Sequence, residues 1–564
     1  MNVINYNNIL KQIVTFILFV FVFYFCSLPI VSVILYGINS SNDKKIEISD
    51  ILRALMLLKD STVLAFLVAI TAVLFALIIT FTLHRINFKG RSILRILILL
   101  PLVNPAFVGS ISFFMLFGKR GLITNKLLGL NISPFGFHGV FIVETLTAIT
   151  TAYLILSSSI RNIDISLEEA AKNIGASEIQ TLFKITLPMM LPEITASFLM
   201  IFLIVMADFT TPMIVGGNFR TLATDLYLQI TGLYDMKIAS LSGMFLLIPC
   251  SIIFFIQNKI TENKNYVTDK SSSKNIEYYY VNPIIKLLLI IITCAVIFYF
   301  LVNFIFIIIG ALTVNWGYDY SFTLKHVISA FSSGSSKYIK PFINSIQLSV
   351  ITAFSSSIIG IIIAYLIERK KIRNTKCLEI MTIFPAAVPG ILFGIGYLVT
   401  FKYPLFGIGK YIFTNAEPLI LLGSSLIVYI ICISRNINIA MKSCHALLEH
   451  IDKELENASY NLGATTFQTY RYIIIPLLRD SFSNSYIKIF ASTMTSLGAI
   501  IFLLMPKNKV IVQVLFQSFT GGMSLGVPAV LALTLSFITL LLMFVFKAIF
   551  YRGKLHENRT SKYK

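Results

Sequence analysis

Apolar runs of about 18 to 28 residues recur along the chain between short polar segments, and each is long enough to cross the ~30 Å hydrocarbon core of a bilayer. They fall near 13–36, 61–83, 95–117, 139–160, 193–215 and 239–256. A polar stretch, QNKITENKNYVTDKSSSKN, follows from Gln257 to Asn275, and further runs lie near 284–311, 343–367, 378–400, 417–434, 482–505 and 526–550. The first run is too long for a signal-peptide core and precedes no small-residue cleavage pattern, so it reads as a retained span. The expectation is an all-α polytopic membrane protein of about 12 transmembrane helices. Its first domain covers 1–256, its linker 257–283 on the cytoplasmic side, and its second domain 284–564. An even number of spans per half makes the halves parallel repeats, related by an axis along the membrane normal.

The polar pattern carries the clearest repeat. EEAAKNIGASEIQTLFKITLPMMLP, from Glu168 to Pro192, has a second version from Glu454 to Asp480, offset by 288 positions (Glu456 against Glu168). The copies share Glu168/Glu456, Ala170/Ala458, Asn173/Asn461, Gly175/Gly463, Ala176/Ala464, Gln180/Gln468, Thr181/Thr469, Ile185/Ile473 and Pro188/Pro476. Ser166 and Glu169 have capping-box spacing, as do Ser177 and Gln180, and Thr465 and Gln468. Gly175 and Gly463 suit a left-handed helix end. Two short helices meeting at a glycine and ending near Pro188 and Pro192 would form a projecting elbow, a shape suited to docking a soluble partner. Paired prolines also repeat, Pro101 and Pro105 against Pro385 and Pro389, so the third span of each half should be kinked or broken. A broken helix at membrane depth is tolerated when it is packed in protein or lines a cavity, which makes these prolines substrate-pathway candidates.

Composition agrees with a membrane protein: 56% of residues are hydrophobic and 13% charged, where average chains carry about 25% charged residues. The net charge of +20 raises the question of nucleic acid, but the dense clusters His84–Arg95, Glu368–Lys376 and Lys547–Lys564 all fall on the predicted inner side. Charge therefore reads as a topology signal with both termini cytoplasmic, and no nucleic-acid partner is expected. The cysteines at 26, 250, 294, 377, 432 and 444 form no CxxC pair. His445 and His450 are spaced wrongly for a shared helical metal site, so no metal site is expected. Asp208 is the clearest intramembrane acid and a pathway candidate; Lys488 lies ~12 Å from it in depth at 1.5 Å rise per residue, too far to pair. Glu144 and Glu417 lie near span starts and are expected to be wet. A phosphate-binding GxxxxGK[ST] loop is absent, and predicted external loops are short. Nucleotide hydrolysis and ligand capture are thus assigned to other chains.

Glu169, Ala170, Ala171, Gly175, Ile185, Leu187 and Pro188 meet a pattern of E-A-A, three residues, G, nine residues, I-x-L-P. This resembles the cytoplasmic signature of binding-protein-dependent ABC importer permeases, with one permease domain in each half. The resemblance implies that the elbow seats in a groove of an ATPase subunit. Its coupling residues would be Glu168, Glu169, Ala170, Ala171, Gly175, Leu187 and Pro188, and in the second copy Glu456, Ala458, Gly463 and Pro476. There Asn457, Ser459 and Ile475 depart from the pattern, which implies a weaker or differently shaped contact. It further implies a non-enzymatic chain without cofactor, ATP and Mg held by two copies of a partner ABC ATPase, an extracytoplasmic solute-binding protein, and a bacterial inner-membrane location among lipid. ADFTTPMIVGGNFRTLATDLY, from Ala207 to Tyr227, is similar to the ferric-iron and 2-aminoethylphosphonate branch. Ferric iron is the first expected substrate, with 2-aminoethylphosphonate or another small solute as the alternative. An ion-coupled secondary transporter would need more intramembrane charges than Asp208 and Lys488 supply. A membrane-integral enzyme would need clustered His, Asp or Cys, and none is evident in the sequence.

Overall fold

The computed structural model describes residues 2–38, 46–103, 106–130, 134–262, 279, 282–332, 336–369, 375–402, 422–521 and 525–560. In the first half these form α1 (Gln12–Ile38), α2 (Ile48–Arg85), α3 (Arg91–Leu97), α4 (Ala106–Phe117), α5 (Phe137–Asn162), α6 (Ile165–Asn173), α7 (Leu187–Ala207), α8 (Thr210–Val215), α9 (Leu222–Thr231) and α10 (Met236–Glu262). The second half begins with α11 (Pro283–Ala311) and a hairpin of β1 (Thr313–Asn315) with β2 (Asp319–Phe322). It continues with α12 (Lys325–Phe331), α13 (Ser336–Glu368), α14 (Thr375–Ala387), α15 (Gly390–Lys402), α16 (Ser425–His450), α17 (Glu454–Asn461), α18 (Arg479–Thr495), α19 (Ile511–Thr520) and α20 (Gly526–Thr560).

Among the described residues, ten helices are long and apolar enough to span a bilayer, and the bent pair α14–α15 makes eleven. The expected count of twelve falls short at the run 482–505, where α18 ends at Thr495 after 17 residues. The equivalent run 193–215 is likewise cut at Ala207. Asp208 and Ser496, again 288 apart, both leave the helix with extended backbone (ψ 123° and 130°). Hydropathy is blind to such breaks because the residues beyond them stay apolar. Leu497, Ala499, Ile500 and Leu503 are buried, so this irregular backbone sits inside protein, where its polar groups find partners. The proline pairs behave as expected in kind. Pro101 lies in a 3-10 turn (Leu100–Val103) between α3 and α4, and α14 and α15 meet at Pro389 with a bend of 113°. Pro105 and Glu417 lie outside the described residues, as does 263–278 of the linker, whose first residues continue α10 to Glu262.

Contacts divide the chain into two compact units. One comprises 42–330 and 518–533, with α2 packed on α5 and α7 and with α11 against α4 and α2. The other comprises 1–41, 331–517 and 534–564, with α13 packed on α16 and α18. Chain order and packing therefore differ at each half's first span, α1 joining the later residues and α11 the earlier ones. Val22, Cys26, Ile30 and Val33 line one buried face of α1, the i, i+4 spacing of a helix stripe. Tyr397 of α15 donates to the Phe25 carbonyl at 2.7 Å, and Gly396 permits the approach: a Cβ there would lie 2.4 Å from the Pro29 carbonyl oxygen.

Candidate functional site

The two elbows repeat one local structure in each half. In the first, α6 is capped by Asp164, whose Oδ1 accepts from Ser166 N at 3.0 Å. The expected Ser166–Glu169 box is displaced by this acid two residues earlier, which reaches the first orphan amides sooner. The helix ends in a Schellman turn: Gly175 N donates to Lys172 O at 2.9 Å and Ala176 N to Ala171 O at 3.0 Å, with Gly175 at φ +91°. Gly463 (φ +85°) and Ala464 repeat it on Tyr460 O and Ser459 O. The second capping boxes form as expected. Ser177 N donates to Gln180 Oε1 at 2.9 Å, and Thr465 N to Gln468 Oε1 at 2.8 Å.

The segment beyond the glycine is not a second short helix. From Glu178 it runs through a π-helical turn, Leu182–Thr186, into the span ending at Ala207. The other copy has the same turn at Tyr470–Ile474. Leu187 N bonds five residues back to Leu182 O, so Pro188 opens a fresh α-helical register at a position that needs no donor. The prolines mark a change of register, and helix continues through them. Each elbow is thus one short helix folded back on the root of the next span.

What holds each elbow is a buried ion pair. Arg85, last residue of α2, places Nη2 3.0 Å from Glu168 Oε1, with side-chain exposures of 4% and 0%. Thr186 donates its hydroxyl to the same oxygen at 2.8 Å, so its oxygen accepts from Tyr279 at 2.9 Å. Tyr279 also donates its backbone N–H to Arg85 O at 2.9 Å, and burial pushes its phenol above the ordinary range, keeping it a neutral donor. In the second elbow Arg369 Nε lies 3.0 Å from Glu456 Oε1, and Arg369 Nη2 donates to Ile451 O and Leu448 O at 2.6 and 3.0 Å. Ser459, where the first copy has Ala171, shares a hydrogen with Thr469 at 2.9 Å.

The expected coupling residues therefore divide by direction. Glu168, Ala171 and Glu456 face inward, whereas Glu169, Ala170, Gly175, Pro188, Ala458, Gly463 and Pro476 are exposed, and Leu187 is half-buried. The sequence reading missed Ile174 and Leu462, 88% and 89% exposed beside the two hinge glycines. It also missed Arg85, Arg369 and Tyr279. Arg85 and Arg369 stand 284 positions apart, the offset of the repeated prolines, and that was the available signal.

The pathway candidates lie elsewhere. Asp208 Oδ1 accepts from Thr210 N and Oγ1 at 2.8 and 2.6 Å, and Oδ2 from Thr211 N at 3.3 Å, capping α8. Glu144, expected to be wet, is 5% exposed and lies beside Asp208 and Thr211 from α5, because the helix break at Asp208 brings the acid to it. Its Oε1 has no partner among the described residues. The equivalents of Glu144 and Asp208 are Cys432 and Ser496, so this acid pair is found in the first half alone. Pro101 lines a small open cleft with Gly109, Thr147, Tyr299 and Asn303, between α4, α5 and α11. Pro385 and Pro389 are buried.

The family described as "Binding-protein-dependent transport system inner membrane component" matches residues 73–265 and again 356–553. The chain belongs to this family. Each match of this inner membrane component contains one elbow and its Arg–Glu anchor. Ferric transport system permease protein FbpB of Actinobacillus pleuropneumoniae is 31% identical over 79% of this chain and 64% of its own length. A putative ferric transport system permease protein, FbpB 1 of Haemophilus influenzae, is 30% identical over 80% of this chain and 70% of its own. The chain thus spans about two thirds of these relatives. A crystal structure of a bacterial ABC transporter that imports the acidic polysaccharide alginate aligns over 47% of this chain and 96% of its own, with 16% identity and a TM-score of 0.39.

Proposed function

We propose that the chain is the membrane permease subunit of an ATP-driven importer, carrying ferric iron handed over by an extracytoplasmic solute-binding protein. Two copies of a separate ABC ATPase dock on the elbows and hydrolyse ATP with Mg there, so the chain itself is not an enzyme and needs no cofactor. The elbows and both termini face the cytoplasm. One observation carries this reading: two elbows, each locked to a span by a buried Arg–Glu pair, each present an almost fully exposed apolar side chain, Ile174 or Leu462, beside a rigid turn. A lever needs a fixed root and a free contact face, and each elbow has both.

Ferric iron is supported by the names of the relatives and by Glu144 with Asp208, whose carboxylate oxygens suit a hard cation. Uptake of labelled ferric iron and of labelled 2-aminoethylphosphonate, in cells with and without this chain, tests the substrate. Iron uptake that depends on the chain and on ATP supports the reading. Uptake that survives ATP depletion and collapses with an uncoupler replaces it with a secondary transporter.

A further inference from the structure

Three metal-ligating side chains converge at the elbow end of the second unit, outside the anchors. Glu368 ends α13, and His445 and Glu449 stand at i and i+4 on α16, so they share a helix face. His445 Nε2 lies 3.5 Å from Glu368 Oε2, and Nδ1 3.7 Å from Glu449 Oε1. One ligand atom from each residue lies within 4.8 Å of the others. Separations of 3.5 and 3.7 Å exceed ordinary hydrogen bonds. The two carboxylates engage opposite ring nitrogens, so an ion held on one nitrogen would draw the other carboxylate round to the same side, a small rotation for side chains as exposed as these.

We propose that Glu368, His445 and Glu449 bind a first-row divalent cation of the Mn²⁺, Fe²⁺ and Zn²⁺ class at the root of the second elbow. Two carboxylate oxygens and an imidazole nitrogen form a donor set that these borderline ions accept. The side chains are 22%, 29% and 42% exposed, so water completes the shell from the open side. The histidine spacing that argued against a metal site counted His450; the fold supplies Glu449 one turn from His445, and Glu368 from another span. The triad is not a relic of the duplication. Its equivalents in the first half are His84, 284 positions earlier, and Ser157 and Arg161, 288 positions earlier, while the neighbouring Arg–Glu anchor is kept in both halves. Lys453 Nζ, 3.8 Å from Glu368 Oε1, is 58% exposed; so exposed a pair is weak, and the lysine yields to a cation at little cost.

The site adjoins the machinery. Glu368 precedes Arg369, which holds Glu456 and the carbonyls of Leu448 and Ile451. A cation tying Glu368 to α16 stiffens that root and reports metal on the elbow side of the membrane. This effect on transport rests on the coupling reading; the binding does not.

Calorimetric titration of the tag-free full chain in micelles with Mn²⁺ tests it, repeated with Fe²⁺ and Zn²⁺. The expected result is one equivalent bound at the triad, at least tenfold weaker in His445→Ala and Glu449→Gln, and several-fold tighter in Lys453→Gln. Equal Mn²⁺ binding by wild type and by His445→Ala or Glu449→Gln proteins that melt normally overturns the site. If those variants do not fold, unchanged affinity in Lys453→Gln overturns it. In proteoliposomes, metal on the elbow side should slow ATP-driven uptake by wild type and not by His445→Ala. Binding without that difference refutes the coupling consequence and leaves the site.

Discussion

Arg85 and Glu168 form a 3.0 Å ion pair with neither side chain reaching solvent, and Arg369 with Glu456 repeats it at the same distance across the duplication. In each case the last arginine of one span takes the acid of the elbow before another. The elbow cannot rotate as a loose loop, because turning it out would strand two charges where water does not reach.

Removing one partner should therefore be costly. Arg85→Ala or Glu168→Gln should destabilise the protein by about 3–5 kcal/mol, since an uncompensated buried charge or polar group remains. The paired apolar replacement Arg85→Met with Glu168→Leu should cost less than either single change. Thermal melts of the purified variants check the order. A double variant at least as unstable as the sum of the singles would contradict it.

The exposed knobs should behave oppositely. Ile174→Asp and Leu462→Asp touch no core, so melting should shift little, within about 0.5 kcal/mol. Co-purification of the ATPase and uptake should fall together. Full recovery of the ATPase with both aspartates present would show that docking uses another surface.

The hinge glycines isolate backbone strain from packing. A Cβ at Gly175 or Gly463 would meet nothing within 4 Å, while φ stands at +91° and +85°. Alanine should cost about 1–2 kcal/mol at each site and valine more, with asparagine recovering much of the loss because it tolerates the left-handed region. Melting points ranking Gly above Asn above Ala above Val would agree; an indifferent ranking would not.

Glu144 offers a packing test inside the membrane. Glu144→Gln keeps a hydrogen-bonding group beside Asp208 and should remain near wild-type stability. Glu144→Leu withdraws it and should cost about 1–3 kcal/mol, measured by thermal melting. Equal melting of the two variants would remove the pair from the structural account.

The class of protein, the duplication and the elbows' local chemistry are legible in the residues alone. Apolar runs long enough to span, the turn glycines Gly175 and Gly463, and the Ser177–Gln180 and Thr465–Gln468 caps are short-range properties, set by a few neighbouring residues and the solvent. Where the reading erred, a competing local group intervened. Asp164 took the cap from Ser166, a π turn carried helix through Pro188, and Asp208 and Ser496 ended helices within apolar runs. Tertiary structure decided what lies far apart in the chain. It paired Arg85 with Glu168, drew Tyr279 from the linker onto Thr186, buried Glu144 against Asp208, and brought Glu368 to His445 and Glu449. The physical reason is that a buried polar side chain takes whatever partner packing delivers. Residue type shows that a partner is needed, but only the crossing of helices shows which one arrives.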